Sequence, residues 1–540
     1  MHIVVEWRSE GVALIDDDGA ETLVPEAQLH AALAEREAQH PRWVWTDTAQ
    51  WYPALLAAGV RVERCHDLRL VDAILAGISG RPARRDWGRD PAAVRGDALF
   101  DLEEVPDAEP AVSVLVTWAE QRAAIAAHGD PARLTLLAAA ESAGALTAAE
   151  MQFAGLPWNA AAHDALLTEL LGTRPTPGRR PARLDALGAE VERLLAVGPV
   201  SIDSPPELVK ALRRAGLDVR SARSGELKRL DHPAIAPLLQ YKTLHRLHTA
   251  NGWHWLDEWV HDGRFRPTFV PGGVVTGRWA SDGGGALQLP RQVRSAVQAD
   301  DGWRLVVADA AQLEPRILAA LSGDAAMARA GAGSDLYAGI VASGAVTSRE
   351  HAKMGMLGAM YGGTTGVSAQ VLPRLARSFA QAIGYVESSA RVGERGGRVQ
   401  TRLGRTSPWP SASWRDRQGE ASAEGACETD RRQAMSESRA WGRFTRNFVV
   451  QGTAAEWALA WMAGVRRRLW NPEGGPLTEQ PHLVFFVHDE LIVHSPLEHV
   501  ADVQRVLHDA AADAARVVFG PTLVTFPVTV AAVERYSDAK

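Results

Sequence analysis

The segment "RLVVADAAQLEPRILAALSGD", residues 304–324, contains an apolar strand pattern followed at once by a helical pattern. The run "RLVV" predicts a buried strand, and the apolar spacing in "RILAAL" predicts one face of a helix. Because proline is tolerated in the first turn of a helix, Pro315 places the start of that helix near Glu314 and leaves Asp309 at the end of the strand. Asp309 is therefore either a metal ligand or a turn-forming residue, and a partner elsewhere in the chain is needed to decide.

Length and composition predict a folded protein of several domains. The chain has 540 residues, 46% of them hydrophobic, and is too long for a single core. No apolar run reaches the length of a membrane span, and charged residues interrupt the N-terminus "MHIVVEWRSE" where a signal peptide is apolar. The two cysteines, Cys65 and Cys427, exclude a disulfide framework and a cysteine-rich zinc site. We therefore expect a cytoplasmic protein without a membrane partner.

Charge is distributed unevenly along the chain. The net charge is −7, and residues 1–150 contain 13 arginines, no lysine and 25 acids. In contrast, residues 391–446 contain 12 arginines and 7 acids. Such a basic tract is compatible with a nucleic-acid partner and equally with an ordinary solvated surface, so charge permits nucleic-acid binding without establishing it.

Changes of pattern along the chain indicate its organisation. The first hundred residues alternate short apolar runs with helical runs, which predicts a small α/β domain. Residues 77–110 are rich in Gly, Pro and charge and predict an exposed connection, whereas residues 111–250 are mainly helical in pattern. Residues 407–430, "SPWPSASWRDRQGEASAEGACETD", predict a long surface loop.

A second candidate acid lies far downstream, in "HLVFFVHDELIVHSP", residues 482–496. Two runs of strand-forming residues flank His488, Asp489 and Glu490, which predicts a hairpin with acids at its tip. Two strand-borne aspartates in one sheet could hold a pair of Mg²⁺ ions, the arrangement that in-line phosphoryl transfer requires. The alternative is an exposed polar turn at a hairpin tip.

Between these acids, the segment "SREHAKMGMLGAMYGGTTG" has a regular spacing of side chains. Arg349, Lys353, Leu357 and Tyr361 recur every four residues and fall on one face of a helix. An arginine and a lysine one turn apart repel each other unless an anion lies between them, and a nucleoside triphosphate would supply that anion. A solvated basic stripe is the alternative interpretation.

Taken together, these segments resemble the family A DNA polymerases. "DAAQLEPRILAALSGD", "REHAKMGMLGAMYG" and "VHDE" are similar to the three polymerase motifs of that family and occur in the family's order. The segments "TGRWAS", "LQLP", "GRVQTRLGRTSP" and "RFTRNFVVQGTAAEW" are similar to further segments of the family. The resemblance extends from about Leu146 to the C-terminus.

The resemblance implies a set of site residues. Asp309 and Asp489 would hold two Mg²⁺ ions, for which Mn²⁺ could substitute, and Glu490 would be an accessory acid. Lys353 would assist catalysis and, with Arg349, hold the triphosphate. The nucleotide-binding residues that it implies are Gln312, Glu314, Arg349, Lys353, Leu357 and Tyr361, of which Glu314 would block a ribose 2′-OH and Tyr361 would lie beside the templating base. The primer–template contacts that it implies are Arg278, Arg443, Asn447, Gln451 and His488.

The resemblance also implies an α/β multidomain fold. A right-hand polymerase domain would occupy residues 141–540, with an antiparallel palm sheet and helical fingers and thumb. Its parts would be a thumb at about 160–250, a palm at about 251–323 and 444–540, and fingers at about 324–443. A ribonuclease H-like domain of the 3′–5′ exonuclease type would occupy residues 1–140, and no 5′ nuclease segment is expected before it.

Some positions depart from the family pattern. Leu357 stands where the family has an aromatic residue against the nucleotide sugar, so we expect altered discrimination against dideoxynucleotides. Ala310 and Ala311 replace larger residues after the first aspartate, and Pro315 replaces an aliphatic one. These three substitutions remove no predicted ligand.

The N-terminal domain departs further, because no Asp-x-Glu pair is present in "HIVVEW" or "GVALIDDDG". Residues 16–18 predict a tight turn instead. Asp47 and Asp72 fall near positions where metal-binding acids would lie, but two-metal hydrolysis without the first pair should be very slow. We therefore expect a vestigial, structural exonuclease domain.

The sequence thus predicts a template-directed DNA polymerase, acting in repair or replication on primer–template DNA and deoxynucleoside triphosphates. The expected protein is a monomer associated with the nucleoid. Two alternatives remain open: a catalytically lapsed protein that binds primer–template, and a polymerase that retains 3′–5′ exonuclease activity.

Overall fold

The computed structural model describes residues 1–87, 113–363, 365–471, 474–487 and 489–539. His488 and most of the connection predicted over residues 77–110 lie outside these ranges. Packing divides the chain into two compact units. The first comprises residues 1–154, 268–282 and 302–532, and the second comprises residues 155–267, 283–301 and 533–540. No described helix combines the length and the apolar character needed to cross a bilayer.

The N-terminal part of the first unit is built on a five-stranded mixed sheet in the order β3-β2-β1-β4-β5. The strands are β1 (His2–Arg8), β2 (Gly11–Asp16), β3 (Glu21–Val24), β4 (Arg42–Trp45) and β5 (Arg64–Asp67). Around them lie α1 (Leu29–Glu37), α2 (Thr48–Ala57), α3 (Leu68–Ser79), α4 (Val114–Ala126) and α5 (Pro131–Ala154). β1 runs antiparallel to β2 and parallel to β4, and buried Trp43, Trp45 and Tyr52 fill the core beside it. The alternation of strands and helices predicted for the first hundred residues is present among the described residues.

A four-stranded sheet in the order β12-β13-β11-β14 carries the two predicted acids. Its strands are β11 (Trp303–Ala310), β12 (His482–Val487), β13 (Glu490–Pro496) and β14 (Val528–Val533). The first unit also contains the helices α12 (Leu313–Ser322), α19 (Glu428–Arg468) and α20 (Val500–Phe519), which flank these strands in sequence. β11 is antiparallel to β13, which is antiparallel to β12, so the predicted strand and the predicted hairpin meet in one sheet.

The chain between this strand and the hairpin is mainly helical. It contains α13 (Ala325–Ala330), α14 (Leu336–Ala342), α15 (Arg349–Tyr361), α16 (Gly366–Ser378), α17 (Ala380–Glu394) and α18 (Ala412–Ser422). The surface loop predicted over residues 407–430 is wrong, since α18 forms within it and α19 begins at Glu428. α18 has no buried residue, so its sequence lacks the apolar periodicity by which a helix is recognised.

The second unit is also mainly helical. Its helices are α6 (Ala160–Leu171), α7 (Ala182–Leu195), α8 (Pro205–Arg214), α9 (Ser224–Leu227), α10 (Ile235–Asn251) and α11 (Trp253–Trp259). The short strands β6 (Leu156–Pro157), β7 (Val260–His261) and β8 (Arg264–Phe265) form a small sheet of their own. In the first unit, β9 (Thr268–Val270) pairs with β10 (Ala280–Asp282).

Candidate active site

The two predicted metal-binding aspartates lie at the same end of the four-stranded sheet. Asp309 is the penultimate residue of β11 and pairs in register with Glu490, the first residue of β13. Asp489 occupies the hairpin turn immediately before, and its carbonyl accepts a hydrogen bond of 2.9 Å from the Ala310 amide. Asp309 and Asp489 are half-buried, whereas Glu490 is 2% exposed. The register thus brings together the acids of two segments that are distant in sequence.

α12 starts where the sequence places it. Gln312 adopts a left-handed conformation with φ of 49° and caps a helix that begins at Leu313. Glu314 and Pro315 follow in its first turn, where a missing proline amide costs no helical hydrogen bond. The left-handed turn at Gln312 starts α12 with only two residues between it and β11, so Glu314 lies five residues after Asp309.

Glu314 is the centre of a hydrogen-bonded group of four predicted site residues. One carboxylate oxygen accepts from the Arg278 guanidinium at 2.7 Å, and the other accepts from the Tyr361 hydroxyl at 2.7 Å. The Gln451 amide nitrogen donates to the same hydroxyl at 3.1 Å. Burial and the hydrogen bond to Glu314 raise the pKa of Tyr361, so the hydroxyl stays protonated as a donor. These hydrogen bonds join α12, α15 and α19 to the segment before β10 that contains Arg278.

The predicted basic face of α15 is open to solvent. Arg349, Lys353 and Tyr361 are exposed and Leu357 is half-buried, whereas the opposite face of the helix is buried. Among the described residues, Lys353 makes no hydrogen bond or ion pair. Its ammonium is therefore available to an anion, as the regular spacing of this face predicts.

A second set of predicted residues lies along α19. Arg443, Asn447 and Gln451 recur every four residues and share one face of that helix. Arg443 packs against Gly362 at the C-terminal end of α15, and Asn447 has a buried side-chain oxygen that accepts no hydrogen bond within the described chain. The remaining predicted contact, His488, lies outside the described residues.

Arg316 is a residue that sequence reasoning missed. It is fully buried, and its guanidinium donates to the carbonyl oxygens of Ala311 at 2.9 Å and Thr525 at 3.0 Å. It also donates to the carbonyls of Gly331, Gly333 and Ser334 at 2.6 to 3.1 Å. These bonds attach the turn after Asp309 to the loop before α14. A buried arginine in a helical pattern gives no sequence signal that distinguishes it from an exposed one.

Asp335 is the second residue that sequence reasoning missed. It caps α14, accepts a hydrogen bond of 2.7 Å from Nε of Arg349, and lies 3.4 Å from the Gln312 amide nitrogen. Although partial burial opposes it, the hydrogen bond from Arg349 lowers the pKa of Asp335. An aspartate directly before the apolar run "LYAGIVA" is a helix N-cap signal, which could have located the residue but not its contact with Arg349.

A further buried arginine fixes α15 to its neighbours. Arg446 of α19 donates to the carbonyl of Ala359 at 3.2 Å and forms an ion pair with Glu387 of α17. α15 is therefore fixed by contacts with α19, while its basic face stays exposed.

The side chains at the sheet end fit Mg²⁺ by their chemistry. Mg²⁺ prefers oxygen ligands and is usually held by one or two carboxylates together with substrate phosphates and waters. Asp309 and Asp489 supply those carboxylates at adjacent strand ends. Within the described chain, three metal-ligating side chains meet within 4.8 Å only at Glu37, His40 and Glu63, near the N-terminal sheet. The acids at the sheet end thus suit a site that substrate completes, rather than a closed protein cage.

Comparison with known proteins agrees with this geometry. The sequence model of DNA polymerase family A matches residues 180–536. The chain belongs to DNA polymerase family A. The family predicted from the three motifs is thereby confirmed.

Several bacterial members of family A are similar in sequence. DNA polymerase I of Chloroflexus aurantiacus is 31% identical over 362 residues, which cover 61% of this chain and 35% of the relative. The thermostable DNA polymerase I of Thermus aquaticus is 28% identical over 363 residues, 59% of this chain and 40% of the relative. The chain therefore matches less than half of the length of these relatives.

A solved family A structure has a similar fold. The POL domain of Pol1 from M. smegmatis, in complex with DNA primer-template and dNTP, matches with a TM-score of 0.71. The match covers 100% of this chain and 95% of that one at 22% sequence identity. At this identity the likeness concerns the fold, and it confirms the predicted α/β multidomain fold with a right-hand polymerase domain.

Proposed function

We propose that this protein is a template-directed DNA polymerase that acts in DNA repair or replication. The observation that carries the proposal is the register of β11 and β13, which brings Asp309 and Asp489 to one sheet end, with Asp309 five residues before the Glu314 carboxylate that binds Tyr361 of α15. Membership of family A supports the same activity. The proposed partners are primer–template DNA and deoxynucleoside triphosphates.

The proposed reaction joins a primer to one nucleotide. The 3′ oxygen of the primer bonds to the α-phosphorus of the triphosphate, the bond from that phosphorus to the bridging oxygen breaks, and pyrophosphate leaves with its electrons. The hydroxyl proton of the primer passes to solvent. Two Mg²⁺ ions held by Asp309 and Asp489 would supply charge stabilisation at the attacking and leaving oxygens. Glu490, which pairs with Asp309 across the strands, is the proposed accessory acid.

The residues of α15 are proposed to bind the nucleotide. The exposed Arg349 and Lys353 lie one turn apart and would neutralise the triphosphate and the leaving pyrophosphate. Leu357, half-buried one turn further, would lie against the sugar with less contact area than an aromatic ring offers. Tyr361 would lie next to the templating base. Inward rotation of α15 with the correct nucleotide would complete the site.

The residues of α19 and Arg278 are proposed to contact primer and template. Amide and guanidinium groups suit the minor groove, whose acceptors are placed similarly in all correct base pairs. Arg443, exposed on α19, would contact the backbone phosphates. His488 completes the proposed set.

For the N-terminal domain, placed at residues 1–140, we propose a structural role without nuclease activity. Asp47 caps α2 by accepting from the Ala49 amide and forms an ion pair of 2.8 Å with Arg69. Asp72 forms an ion pair with Arg81. The two acids that the sequence placed near metal-binding positions, Asp47 and Asp72, thus each have an arginine beside them, where a cation would otherwise be needed.

Primer extension tests the proposed activity. A 5′-labelled primer annealed to a longer template is incubated with Mg²⁺ and four deoxynucleotides, with the unsubstituted protein, Asp309→Asn and Asp489→Asn. The isosteric asparagines remove charge with little change of shape. Extension by the unsubstituted protein and loss of at least about 1000-fold in each variant is the expected result.

An exposed aspartate supplies the matched control. Asp502 lies on α20, 62% exposed, and pairs only with the nearby Arg505 among the described residues. Asp502→Asn should extend primers at the unsubstituted rate. If all four proteins bind primer–template equally and none extends it, the protein is a catalytically lapsed binder and the proposal fails. Cytoplasmic location, association with the nucleoid and a monomeric state stay predictions.

A further inference from the structure

Arg349 is held by an aspartate that the proposed mechanism does not use. Nε of its guanidinium donates to Oδ2 of Asp335 at 2.7 Å. The Asp335 side chain is 33% exposed and that of Arg349 is 57% exposed, so the pair lies at the edge of solvent. The contact occupies one edge of the guanidinium. In the described chain, the two terminal nitrogens of Arg349 make no hydrogen bond.

Asp335 itself is fixed by its surroundings. Its Oδ1 caps α14 by accepting from the amides of Tyr337 at 2.9 Å and Ala338 at 3.2 Å. The side-chain oxygen of Gln312 accepts from the next amide, that of Leu336, at 2.9 Å. The loop immediately before Asp335 is held by Arg316 through the carbonyls at 333 and 334. The carboxylate therefore has a fixed position relative to the turn that follows Asp309.

A second group limits the orientation of the same guanidinium. The ring of Tyr337 is 6% exposed, and its centroid lies 5.6 Å from the guanidinium carbon of Arg349. A cation at this distance from an aromatic face is attracted to it. Burial, together with the nearby Glu314 carboxylate, raises the pKa of Tyr337 to about 12, so the ring stays neutral. Arg349 is thus held at its Nε edge by Asp335 and near one face by Tyr337.

We propose that Asp335 is a positioning residue for nucleotide binding, orienting Arg349 so that its terminal nitrogens face the triphosphate. The inference rests on the proposed function, because it assigns a positioning residue to the same nucleotide-binding site. An exposed arginine loses side-chain rotamer entropy when it binds a ligand, and a carboxylate that already fixes its Nε edge reduces that loss. The remaining pair of N–H groups suits phosphate oxygens in a fork geometry.

The opposite role is physically reasonable and predicts the opposite sign. If Asp335 merely competed with the triphosphate for Arg349, its removal would release the arginine and tighten nucleotide binding. Under the positioning role, removal leaves Arg349 mobile and weakens binding. The sign of the change in nucleotide affinity therefore distinguishes the two roles.

The test uses the full chain as unsubstituted protein, Asp335→Asn, Arg349→Ala and the double variant. Asparagine keeps the shape of aspartate and is an equally good helix N-cap, so α14 should be retained. Binding of the correct deoxynucleotide is measured by equilibrium titration of a protein complex with a dideoxy-terminated primer–template, which prevents turnover. KM and kcat are measured separately on an extendable primer.

We expect Asp335→Asn to raise the nucleotide Kd and KM by about 3- to 10-fold with a much smaller change in kcat, as for loss of one oriented ion pair. In the Arg349→Ala background the same substitution should change neither quantity, because the residue on which Asp335 acts is gone. Asp335→Ser, which also keeps a capping oxygen, should reproduce the effect if Asp335→Asn folds poorly.

Three outcomes overturn the inference. Tighter nucleotide binding by Asp335→Asn would make Asp335 a competitor, and equal weakening in the Arg349→Ala background would make its role purely structural. Unchanged affinity in a variant that extends primers would remove the role altogether. If the unsubstituted protein neither extends primers nor binds nucleotide in its primer–template complex, the proposed function itself fails, which is a separate result.

Discussion

Tyr361 donates its hydroxyl to Glu314 across 47 positions of sequence, in a hydrogen bond of 2.7 Å between α15 and α12. The same carboxylate accepts from Arg278, so both of its oxygens are engaged from different elements. A carboxylate held in this way keeps a fixed position next to the end of β11. It is therefore suited to act as a rigid steric block beside the proposed sugar site.

Glu314→Ala should admit ribonucleotides. Removal of the side chain opens the space that a ribose 2′-OH would need, so the ratio of kcat/KM for deoxynucleotides over ribonucleotides should fall by about tenfold or more. The measurement is single-nucleotide insertion with each sugar on one primer–template. Glu498→Ala, at an exposed position before α20, should leave the ratio unchanged.

Tyr361→Phe tests whether the hydrogen bond that positions the Glu314 carboxylate matters for sugar discrimination, while the carboxylate itself is kept. The ring remains while the donor to Glu314 is lost, so the carboxylate is held by Arg278 alone among the described contacts. Sugar discrimination should fall, but by less than in Glu314→Ala. A Tyr361→Phe variant with full discrimination would indicate that the hydrogen bond does not position the block.

The N-terminal domain, for which a structural role is proposed, should not degrade DNA. A 3′-exposed single strand labelled at its 5′ end should keep its length with Mg²⁺, both with the unsubstituted protein and with Asp309→Ala, in which polymerisation is removed. Asp47→Ala should lower the free energy of unfolding by about 1 kcal/mol, because it removes the cap of α2. Shortening of the strand that survives Asp309→Ala and disappears in Asp72→Ala would overturn the structural role.

Much of the sheet end could be predicted from the sequence, because its signals are local. The apolar run before Asp309, the proline in the first turn of α12 and the hairpin around Asp489 each depend on a few neighbouring residues. The four-residue spacing of α15 likewise gives its exposed face. These patterns locate the elements and, with the family resemblance, the acids.

The contacts that fix the site could not be predicted in the same way. The bond between Asp335 and Arg349 depends on the path of a loop, and the loop depends on the carbonyls that Arg316 binds. Arg316 is buried and binds uncharged oxygens, five backbone carbonyls and the Thr525 hydroxyl, so no complementary charge in the sequence reveals its contacts. α18 was missed for a related reason, since a helix without a buried face carries no apolar period.

A buried ion pair should stabilise the packing of α5 against α19. Arg466 donates to both oxygens of Glu150 at 2.9 Å, and it also binds the backbone carbonyls at 62 and 63. Arg466→Met should lower the free energy of unfolding by about 3 kcal/mol, because it leaves the buried Glu150 carboxylate with only the more distant Arg61, at 3.5 Å, and the Tyr52 hydroxyl as partners. Denaturant unfolding followed by circular dichroism measures the change. Arg466→Met combined with Glu150→Leu should recover most of the loss, and failure to do so would assign the cost to packing.

The same ion pair should make the free energy of unfolding depend on pH in the acid range. Despite its burial, the pKa of Glu150 is lowered to about 2, chiefly by Arg466. A carboxylate with a depressed folded pKa contributes stability that is present above its unfolded pKa of about 4.5 and is lost as the pH falls toward 2. Unfolding free energies at pH 6 and pH 3 should differ less in Glu150→Gln than in the unsubstituted protein.

Glu456 should make the free energy of unfolding depend on pH in the opposite sense, so that stability falls as the pH rises. Full burial raises its pKa to about 7, although its carboxylate accepts from the Leu403 amide at 2.9 Å and from the Thr401 hydroxyl. Between pH 4.5 and 7 the folded state therefore holds a proton that the unfolded state releases, so this group lowers stability as the pH rises through that range. Glu456→Gln should thus gain about 1 to 3 kcal/mol relative to the unsubstituted protein on going from pH 5 to pH 8. Glu420→Gln, at an exposed position of α18, should show no such gain, and an equal difference at both pH values would mean that Glu456 is ionised throughout.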